Sequence, residues 1–303
     1  MLSRRAFVAG SLAWLGCGNA KTASARTIAQ VVPAAPSRDG AGVALRRALG
    51  NRALPMLDPF LLLDEIHSSD PADYRAGFPR HPHRGFETVS ILLRGGFEHR
   101  DSVGNRGLIS DGGAQWMTAG RGIVHEEMPV ATGGAELWGL QLWVNLPAAR
   151  KMIAPRYQDL GAAAIPTATL GDARVRVIAG SAGGVRGPVD GIDIAPALLD
   201  VSIEPSHGTE RGARFVHELP GGDTAFAYVL DGEIAIGGRG ARAGELAVLS
   251  AGTSVTVEGG GRFLLVAGTP LREPIARRGP FVMTTDEELE QAFADYRSGR
   301  LAS

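Results

Sequence analysis

Residues 115–129 read QWMTAGRGIVHEEMP, a pattern of two short apolar segments separated by glycines. Gly120 and Gly122 mark a turn, because glycine allows the backbone to bend and to be approached closely. His125 and Glu127 follow that turn two residues apart, so on an extended strand their side chains point to the same side. The stretch therefore predicts strand, turn and strand, with two possible metal ligands on one face.

A second pair of the same kind lies upstream, where His81 and His83 flank a proline and Gly85 follows. Two strands of a barrel could bring both pairs together around one ion. Three imidazoles and one carboxylate suit Fe, Mn, Ni, Cu or Zn, and do not suit an oxygen-only calcium site. An isolated His-x-His is often a surface feature, but the chain has only seven histidines and three fall in these pairs. We therefore predict one metal site formed by His81, His83, His125 and Glu127.

The chain also resembles itself over two short stretches. Residues 93–96, LRGG, correspond to residues 230–233, LDGE, and residues 118–125, TAGRGIVH, correspond to residues 250–257, SAGTSVTV. Two matches in the same order, at nearly equal offsets, indicate a duplicated β domain.

The second copy lacks most of the predicted ligands. The same offsets place Glu218 and Pro220 at the positions of the upstream histidine pair, and Val257 and Gly259 at the positions of the downstream pair. Of these four, only the glutamate has a side chain that binds metals. We therefore expect the ion in the first copy alone.

Short apolar runs separated by glycine turns continue through most of the chain. Leu140, Leu142 and Val144 alternate with Gln141 and Trp143, which is the period of a strand with two different faces. Further strand candidates are residues 86–93, 174–178, 198–203, 225–230, 245–249, 254–257 and 263–266. This spacing predicts an all-β sandwich or barrel.

The C-terminus follows a different pattern. Thr285 and Glu288 have the spacing of a capping box, in which each side chain satisfies the other residue's backbone amide. Leu289, Ala292, Phe293 and Tyr296 then recur at helical spacing, so one terminal amphipathic helix is predicted.

Residues 1–25 are predicted to be a targeting segment of the twin-arginine type. Arg4 and Arg5 precede a weakly apolar stretch too short to span the ~30 Å hydrocarbon core of a bilayer, and residues 23–25 are a small-x-small cleavage site. We expect export to the periplasm and no membrane association of the mature form. The alternatives are an uncleaved tail, or a lipid anchor at Cys17, which is the only cysteine and so excludes an intramolecular disulfide.

Composition restricts the remaining classes of function. Charged residues make up 21% of the chain and the net charge is −1, which is typical of a soluble globular protein and unlike a nucleic-acid-binding surface. No nucleic-acid partner is therefore expected, and we expect a monomer.

Both ligand stretches resemble the signature segments of the pirin family: residues 81–89, HPHRGFETV, and residues 115–129. Further similar stretches are residues 58–60, 140–146, 270–274 and 279–283, so the resemblance runs from about residue 40 to about residue 295. It implies a bicupin, with two β-barrels face to face: a metal-binding cupin over residues 26–160, and a cupin without ligands plus the terminal helix over residues 161–303. Pirins hold iron in the first cupin, so the resemblance implies Fe(II), bound by His81, His83, His125 and Glu127.

The resemblance also implies two candidate functions. Some bacterial relatives resemble quercetin 2,3-dioxygenases, which open a flavonol ring with O₂. On that hypothesis the partners are O₂ and a small phenolic substrate, and Glu127 acts as both ligand and catalytic base. The alternative is a metal- or redox-sensing protein without turnover. Glu87, a ligand in many other cupins, is expected to lie behind the ligands, and Glu126 to point away from them.

Overall fold

Short β-strands separated by glycine turns make up nearly all of the described chain, as the alternating apolar runs predict. The structure is a computed structural model, and it describes residues 24–130, 134–204 and 213–302. The predicted targeting segment, including Cys17, lies outside the described residues up to residue 23, so export stays a prediction.

The strands before residue 161 are β1 (Ile28–Pro33), β2 (Ala35–Asp39), β3 (Val43–Leu49), β4 (Phe60–Ser68), β5 (Phe78–His83), β6 (Phe86–Arg94), β7 (Gly96–Asp101), β8 (Arg106–Ile109), β9 (Ala114–Thr118), β10 (Ile123–Val130), β11 (Leu137–Asn145) and β12 (Arg156–Leu160). Those after it are β13 (Thr167–Leu170), β14 (Ala173–Ala179), β15 (Ser181–Ala182), β16 (Val185–Arg186), β17 (Ala197–Ile203), β18 (Arg214–Glu218), β19 (Thr224–Ile236), β20 (Arg239–Arg242), β21 (Glu245–Leu249), β22 (Ser254–Gly268), β23 (Ala276–Arg278) and β24 (Phe281–Met283). One α-helix, α1 (Asp286–Arg297), ends the fold, and 3-10 turns lie at Pro71–Asp73, Ala148–Arg150 and Ala162–Ala164.

The first barrel is made of two antiparallel sheets. A seven-stranded sheet has the order β12-β9-β6-β11-β4-β3-β2, and a four-stranded sheet, which we call the ligand sheet, has the order β5-β10-β7-β8. Apolar side chains of both sheets, among them Ile66, Leu92 and Phe97, pack together inside the barrel. The ligand sheet carries both predicted ligand pairs.

The second barrel is built from one nine-stranded sheet. Its order is β1-β21-β19-β22-β17-β14-β13, with β18 beside β22 and β20 beside β19. The two longest strands, β19 and β22, run through both sides of the barrel and enclose an apolar interior. The predicted all-β bicupin with a short terminal helix is therefore confirmed.

The two barrels meet through an apolar interface. Val89 and Leu142 lie on the outer face of the seven-stranded sheet and pack against Phe226 and Tyr228 of the second barrel. Trp116 is buried in the same interface, so it belongs to the core and not to a cavity. Because side chains alternate along a strand, Gln141 and Trp143 face the interior of the first barrel.

The ends of the chain cross between the barrels. Strand β1 pairs with β21, so residues 28–33 belong to the second sheet although they precede the first barrel. At the other end, Arg84 pairs with Phe281 in an isolated bridge, which brings β24 and the tail back to the first barrel. The predicted boundary between residues 160 and 161 stays a prediction.

Helix α1 begins as its capping box predicts. The Thr285 hydroxyl accepts from the Glu288 amide, and the Glu288 carboxylate accepts from the Thr285 amide, both at 3.3 Å. Leu289 and Ala292 are buried, whereas Tyr296 is exposed and so extends beyond the packed face. Neither α1 nor any 3-10 turn in the described ranges has the length and hydropathy that a bilayer span requires.

Candidate metal centre

Three of the predicted ligands converge on the ligand sheet. Antiparallel pairing of β5 with β10 sets His81 directly opposite His125 and His83 opposite Ile123. One ligand atom from each of His81, His83 and His125 lies within 4.8 Å of the other two. The imidazole ring centroids are 4.4 to 4.9 Å apart, so the three rings surround a common point.

The tautomer of His81 is set by its own strand. Its Nδ1 lies 2.9 Å from the Pro79 carbonyl oxygen, which can only accept a hydrogen bond. Nδ1 therefore carries the proton and Nε2 is left as the metal ligand. His81 is half-buried, so it lies at the edge of the centre that faces the cavity described below.

The other two imidazoles are buried. His83 and His125 are 2% and 1% exposed, and neither ring nitrogen of either residue has a hydrogen-bond partner among the described residues. Burial lowers the pKa of both well below the ordinary histidine value, and nearby imidazoles add to the effect. The Pro280 backbone lies near His83 and acts to raise its pKa, but it makes no hydrogen bond to the ring. Neutral, unpartnered nitrogens that face one another are what a divalent metal ion requires, so these residues fit the predicted ion.

Glu127 lies inside the same barrel but outside the group of three histidines. It is 3% exposed, and its carboxylate accepts from the Ser90 hydroxyl at 3.0 Å and from the Gln141 amide at 2.8 Å. The indole of Trp143 donates to the Gln141 carbonyl at 3.3 Å, which completes a chain of hydrogen bonds from the cavity to Glu127. Its ligand and base roles therefore stay predictions, and Gln141 connects it to the cavity.

The turns that carry the ligands are held by each other and by the C-terminal tail. The Gly85 amide donates to the Gly120 carbonyl at 2.8 Å. The Arg84 guanidinium contacts the Arg121 carbonyl and binds the Asp295 carboxylate of α1 at 2.8 Å. A side chain at Gly122 would collide with the Leu301 carbonyl, so this position requires glycine. The tail thus fixes the ends of both ligand strands.

A buried lysine after strand β11 binds the same turn. Lys151 is 2% exposed, and its ammonium donates to the carbonyl oxygens of Gly85 and Val282 and to the Asn145 side chain. Burial lowers its pKa to about 8, although Glu273 and Glu288 act in the opposite direction. The turn after His83 is therefore held from two sides.

Glu87 faces away from the histidines. On β6 it alternates with Thr88 and Ser90 and lies on the same side as Val89, which belongs to the interface between the barrels. Its carboxylate accepts from the Thr118 hydroxyl at 2.6 Å. Burial, opposed by that hydrogen bond, raises its pKa to about 7. Glu126 alternates away from His125 and Glu127 and is half-buried, as predicted.

The remaining histidines have separate environments. His99 is 1% exposed and lies opposite Glu127 on β7, where the Gln115 amide reaches its Nδ1 at 2.7 Å and Tyr157 stacks on its ring. His67 stacks on Trp138, and His217 stacks on Phe215 in the second barrel. His207 lies outside the described residues.

A cavity of about 730 Å³ opens beside the histidines. Its lining includes His81, His83, the Trp143 ring and two arginines, Arg47 and Arg277. The volume is within the usual range for a small-molecule site. Trp143 stands edge-on to His83 at 5.3 Å between ring centroids, so a planar aromatic ligand would meet both rings.

Sequence reasoning missed the residues that connect these parts. Ser90 and Arg277 lie in no motif, and Gln141 lies in the family-like stretch 140–146 without an assigned role. These residues gain a role only from the neighbours that the barrel gives them. For Gln141 a signal existed, since a polar residue on the inner face of an otherwise apolar strand is unusual in a core. For Arg277 there was none, because it comes from the tail of the second half.

Comparisons with known proteins agree with this fold. The Pirin family profile matches residues 42–144, and the profile described as the pirin C-terminal cupin domain matches residues 207–302. A protein of Pseudomonas aeruginosa that is provisionally named a quercetin 2,3-dioxygenase is 43% identical over 281 residues, covering 88% of this chain and 95% of that protein. Human pirin is 44% identical over 272 residues, which cover 86% of this chain and 89% of pirin.

A solved structure extends the likeness to three dimensions. The crystal structure of a quercetin 2,3-dioxygenase from Acinetobacter baumannii superposes with a TM-score of 0.83 at 32% identity, covering 92% of this chain and 99% of that one. Sequence profile, relatives and fold therefore agree over both halves of the molecule, and the chain belongs to the pirin family.

Proposed function

We propose that this protein is a metal-dependent dioxygenase that opens a ring of a flavonol-like phenol with O₂. The observation that carries the proposal is the group of three facing imidazoles beside a cavity of about 730 Å³. The names of the relatives support the same reaction class. Fe(II) is the ion we propose, and Mn, Ni, Cu and Zn remain the alternatives for this ligand set.

When bound, a divalent ion would supply Lewis acidity, which lowers the pKa of a phenolic hydroxyl, and open coordination positions. The Trp143 ring, edge-on to His83, would orient the flat substrate and exclude water from one side. Glu127 would take the phenolic proton on a carboxylate oxygen. Gln141 and Ser90 hold that carboxylate by two hydrogen bonds, which fixes its orientation.

The test is oxygen consumption with quercetin by purified, metal-loaded protein, together with its metal content. We expect near-stoichiometric metal and oxygen uptake. Glu127→Gln should lower turnover by about 10²- to 10⁴-fold, the usual contribution of a general base. Loss of metal from the same variant would identify Glu127 as a ligand as well.

Glu126→Gln is the matched control, because Glu126 is the adjacent residue of the same charge and points away from the centre. Its turnover should equal that of the wild type. Stoichiometric metal with no oxygen uptake across phenolic substrates would reject the dioxygenase and favour a metal-sensing or binding role. A folded protein that binds no metal would reject both.

A further inference from the structure

The lining of the cavity beside the histidines combines two kinds of side chain. One kind is aromatic, namely the rings of His81, His83 and Trp143. The other kind is charged, namely Arg47, Arg277, Asp39 and Asp64. Two positive and two negative groups would cancel if each found a partner, so the pairing among them decides which charge is left for a ligand.

Arg47 donates hydrogen bonds to both carboxylates. It holds Asp64 with two parallel hydrogen bonds, of 2.8 Å from Nε and 2.7 Å from Nη2, and it reaches Asp39 at 2.7 Å. Such a two-pronged pair is geometrically rigid. The carboxylates and Arg47 therefore form a fixed wall.

Arg277 is the charged side chain of this group that binds neither Asp39 nor Asp64. Its guanidinium lies over the Trp143 ring, 5.0 Å from the ring centroid, and Nη1 donates to the Leu61 carbonyl at 2.8 Å. Within the described ranges no carboxylate lies within ion-pair distance of it. Burial and then Arg47 lower its pKa, and Asp64 raises it, yet a guanidinium stays charged at any physiological pH.

Trp143 connects Arg277 to the metal centre. Its ring is nearly perpendicular to the His83 ring at 5.3 Å between centroids, and the guanidinium lies over it at 5.0 Å, so one side chain separates the candidate metal centre from the cation. A flat aromatic ligand beside Trp143 would therefore place one substituent at the imidazoles and another at Arg277. A partly dehydrated guanidinium with free donors favours an oxyanion there.

We propose that Arg277 is a specificity-determining residue that binds an anionic oxygen on the end of the substrate remote from the metal. The substrate class is then an aromatic compound with a phenolic hydroxyl for the metal centre and a carboxylate or ionised phenol for Arg277. The metal end of this assignment rests on the proposed function. The Arg277 end rests on the cavity and its charges alone.

The test is equilibrium binding under anaerobic conditions, so that no turnover is needed. The two probes are 3-hydroxyflavone and the same compound with a carboxylate on its phenyl ring. Metal-loaded wild-type protein should bind the carboxylated probe at least about tenfold more tightly, as expected for a charge-assisted hydrogen-bond pair. Arg277→Gln should remove that preference, so that the two probes bind with similar affinity.

Arg278→Gln is the matched control, because Arg278 is the next residue but pairs with Glu290 and lies over Phe293, outside the cavity lining. It should keep the full preference. Arg277→Lys should keep part of the preference, because it retains the charge but loses the planar fork that stacks on Trp143. Metal content and circular dichroism show that each variant is folded.

An unchanged preference in Arg277→Gln, or no preference in the wild type, overturns the inference and leaves the proposed oxygenase untouched. A preference lost in Arg277→Gln, in a metal-loaded protein that consumes no oxygen in air with quercetin or other phenolic substrates, supports the inference and rejects the oxygenase. The two conclusions can therefore fail separately.

Discussion

In the first barrel His125 of β10 pairs with His81 on one side and with Asp101 on the other. The matching strand of the second barrel, β22, has Val257 paired with Phe215 and with Ile236. The strands pair in the same order, but the first set of side chains is polar and the second set is apolar. Phe215, Ile236 and Val257 lie in the closed core of the second barrel.

The pairing also corrects one part of the sequence comparison. The turn-based offset placed Glu218 and Pro220 at the positions of His81 and His83, whereas the strand ladder places Phe215 and His217 there. The prediction is wrong by three residues because the loop between β18 and β19 differs in length from its counterpart, and an offset taken at one turn does not carry across such a loop. Val257 and Gly259 remain at the positions of His125 and Glu127.

This difference shows that a barrel of this design closes with one imidazole, His217, where the first barrel has three. Phe215 and Val257 fill the positions of His81 and His125 in the second barrel, and these apolar side chains need no hydrogen-bond partners. In the first barrel, His83 and His125 bring buried, unpartnered nitrogens to the ligand sheet, which is unfavourable without an ion. The three predictions below test the comparison, from the largest effect to the smallest.

Removing a histidine from the first barrel should weaken metal binding, whereas removing one from the second barrel should not. His83→Ala deletes one of three converging ligands, so the affinity for the metal ion should fall by more than about 100-fold. That factor is the upper end of the range for losing a residue that only hydrogen-bonds to a ligand. His217→Ala, at the matching position of the second barrel, should bind metal as the wild type does. Metal titration with a competing chelator measures both. Equal losses in the two variants would contradict the assignment of the site to the first barrel.

Glu87 should make the stability of the protein depend on pH, because its carboxyl is buried on the face of the seven-stranded sheet that meets the second barrel. Its pKa is about 7 when folded against an ordinary 4.5, so between these values the folded state holds more protons. The free energy of unfolding should therefore fall as pH rises from about 4.5 through 7, by at most about 3 kcal/mol.

Urea unfolding of wild type and Glu87→Gln at pH 5 and pH 8 isolates this effect, because other titrating groups are common to both proteins. The stability of the wild type relative to Glu87→Gln should be lower at pH 8 than at pH 5. A difference that stays constant with pH would mean that the carboxyl is not desolvated as the structure shows.

Making the first barrel like the second should stabilise the metal-free protein. His125→Val removes a buried imidazole whose nitrogens have no hydrogen-bond partner in the described part of the chain, and introduces the residue found at the matching position. The free energy of unfolding should rise by about 1 kcal/mol after the loss of volume. Val257→His, the reciprocal change, should destabilise the second barrel. Chelator-treated protein and urea unfolding give both values. A destabilised His125→Val would show that the imidazole is well accommodated without metal.

The sequence predicted the architecture because the relevant signals are local. Glycine turns, two-residue alternation and the capping box at Thr285 each depend on neighbours within a few residues, and each reappears in the structure. Leu140 and Leu142 do share one face, as predicted. Which face meets the second barrel was not predictable, because that choice depends on how the two barrels dock.

By itself, the sequence determined the all-β fold, its two related halves and three imidazoles that could share one ion, because strand period and residue type are properties of short stretches. The tertiary structure alone decided which groups surround that candidate metal site. It placed Gln141 and Ser90 on Glu127, turned Glu87 to the opposite face, and brought Arg277 from the far end of the chain into the cavity. Residues distant in sequence become neighbours only when strands pair and barrels dock, and no local pattern encodes those contacts.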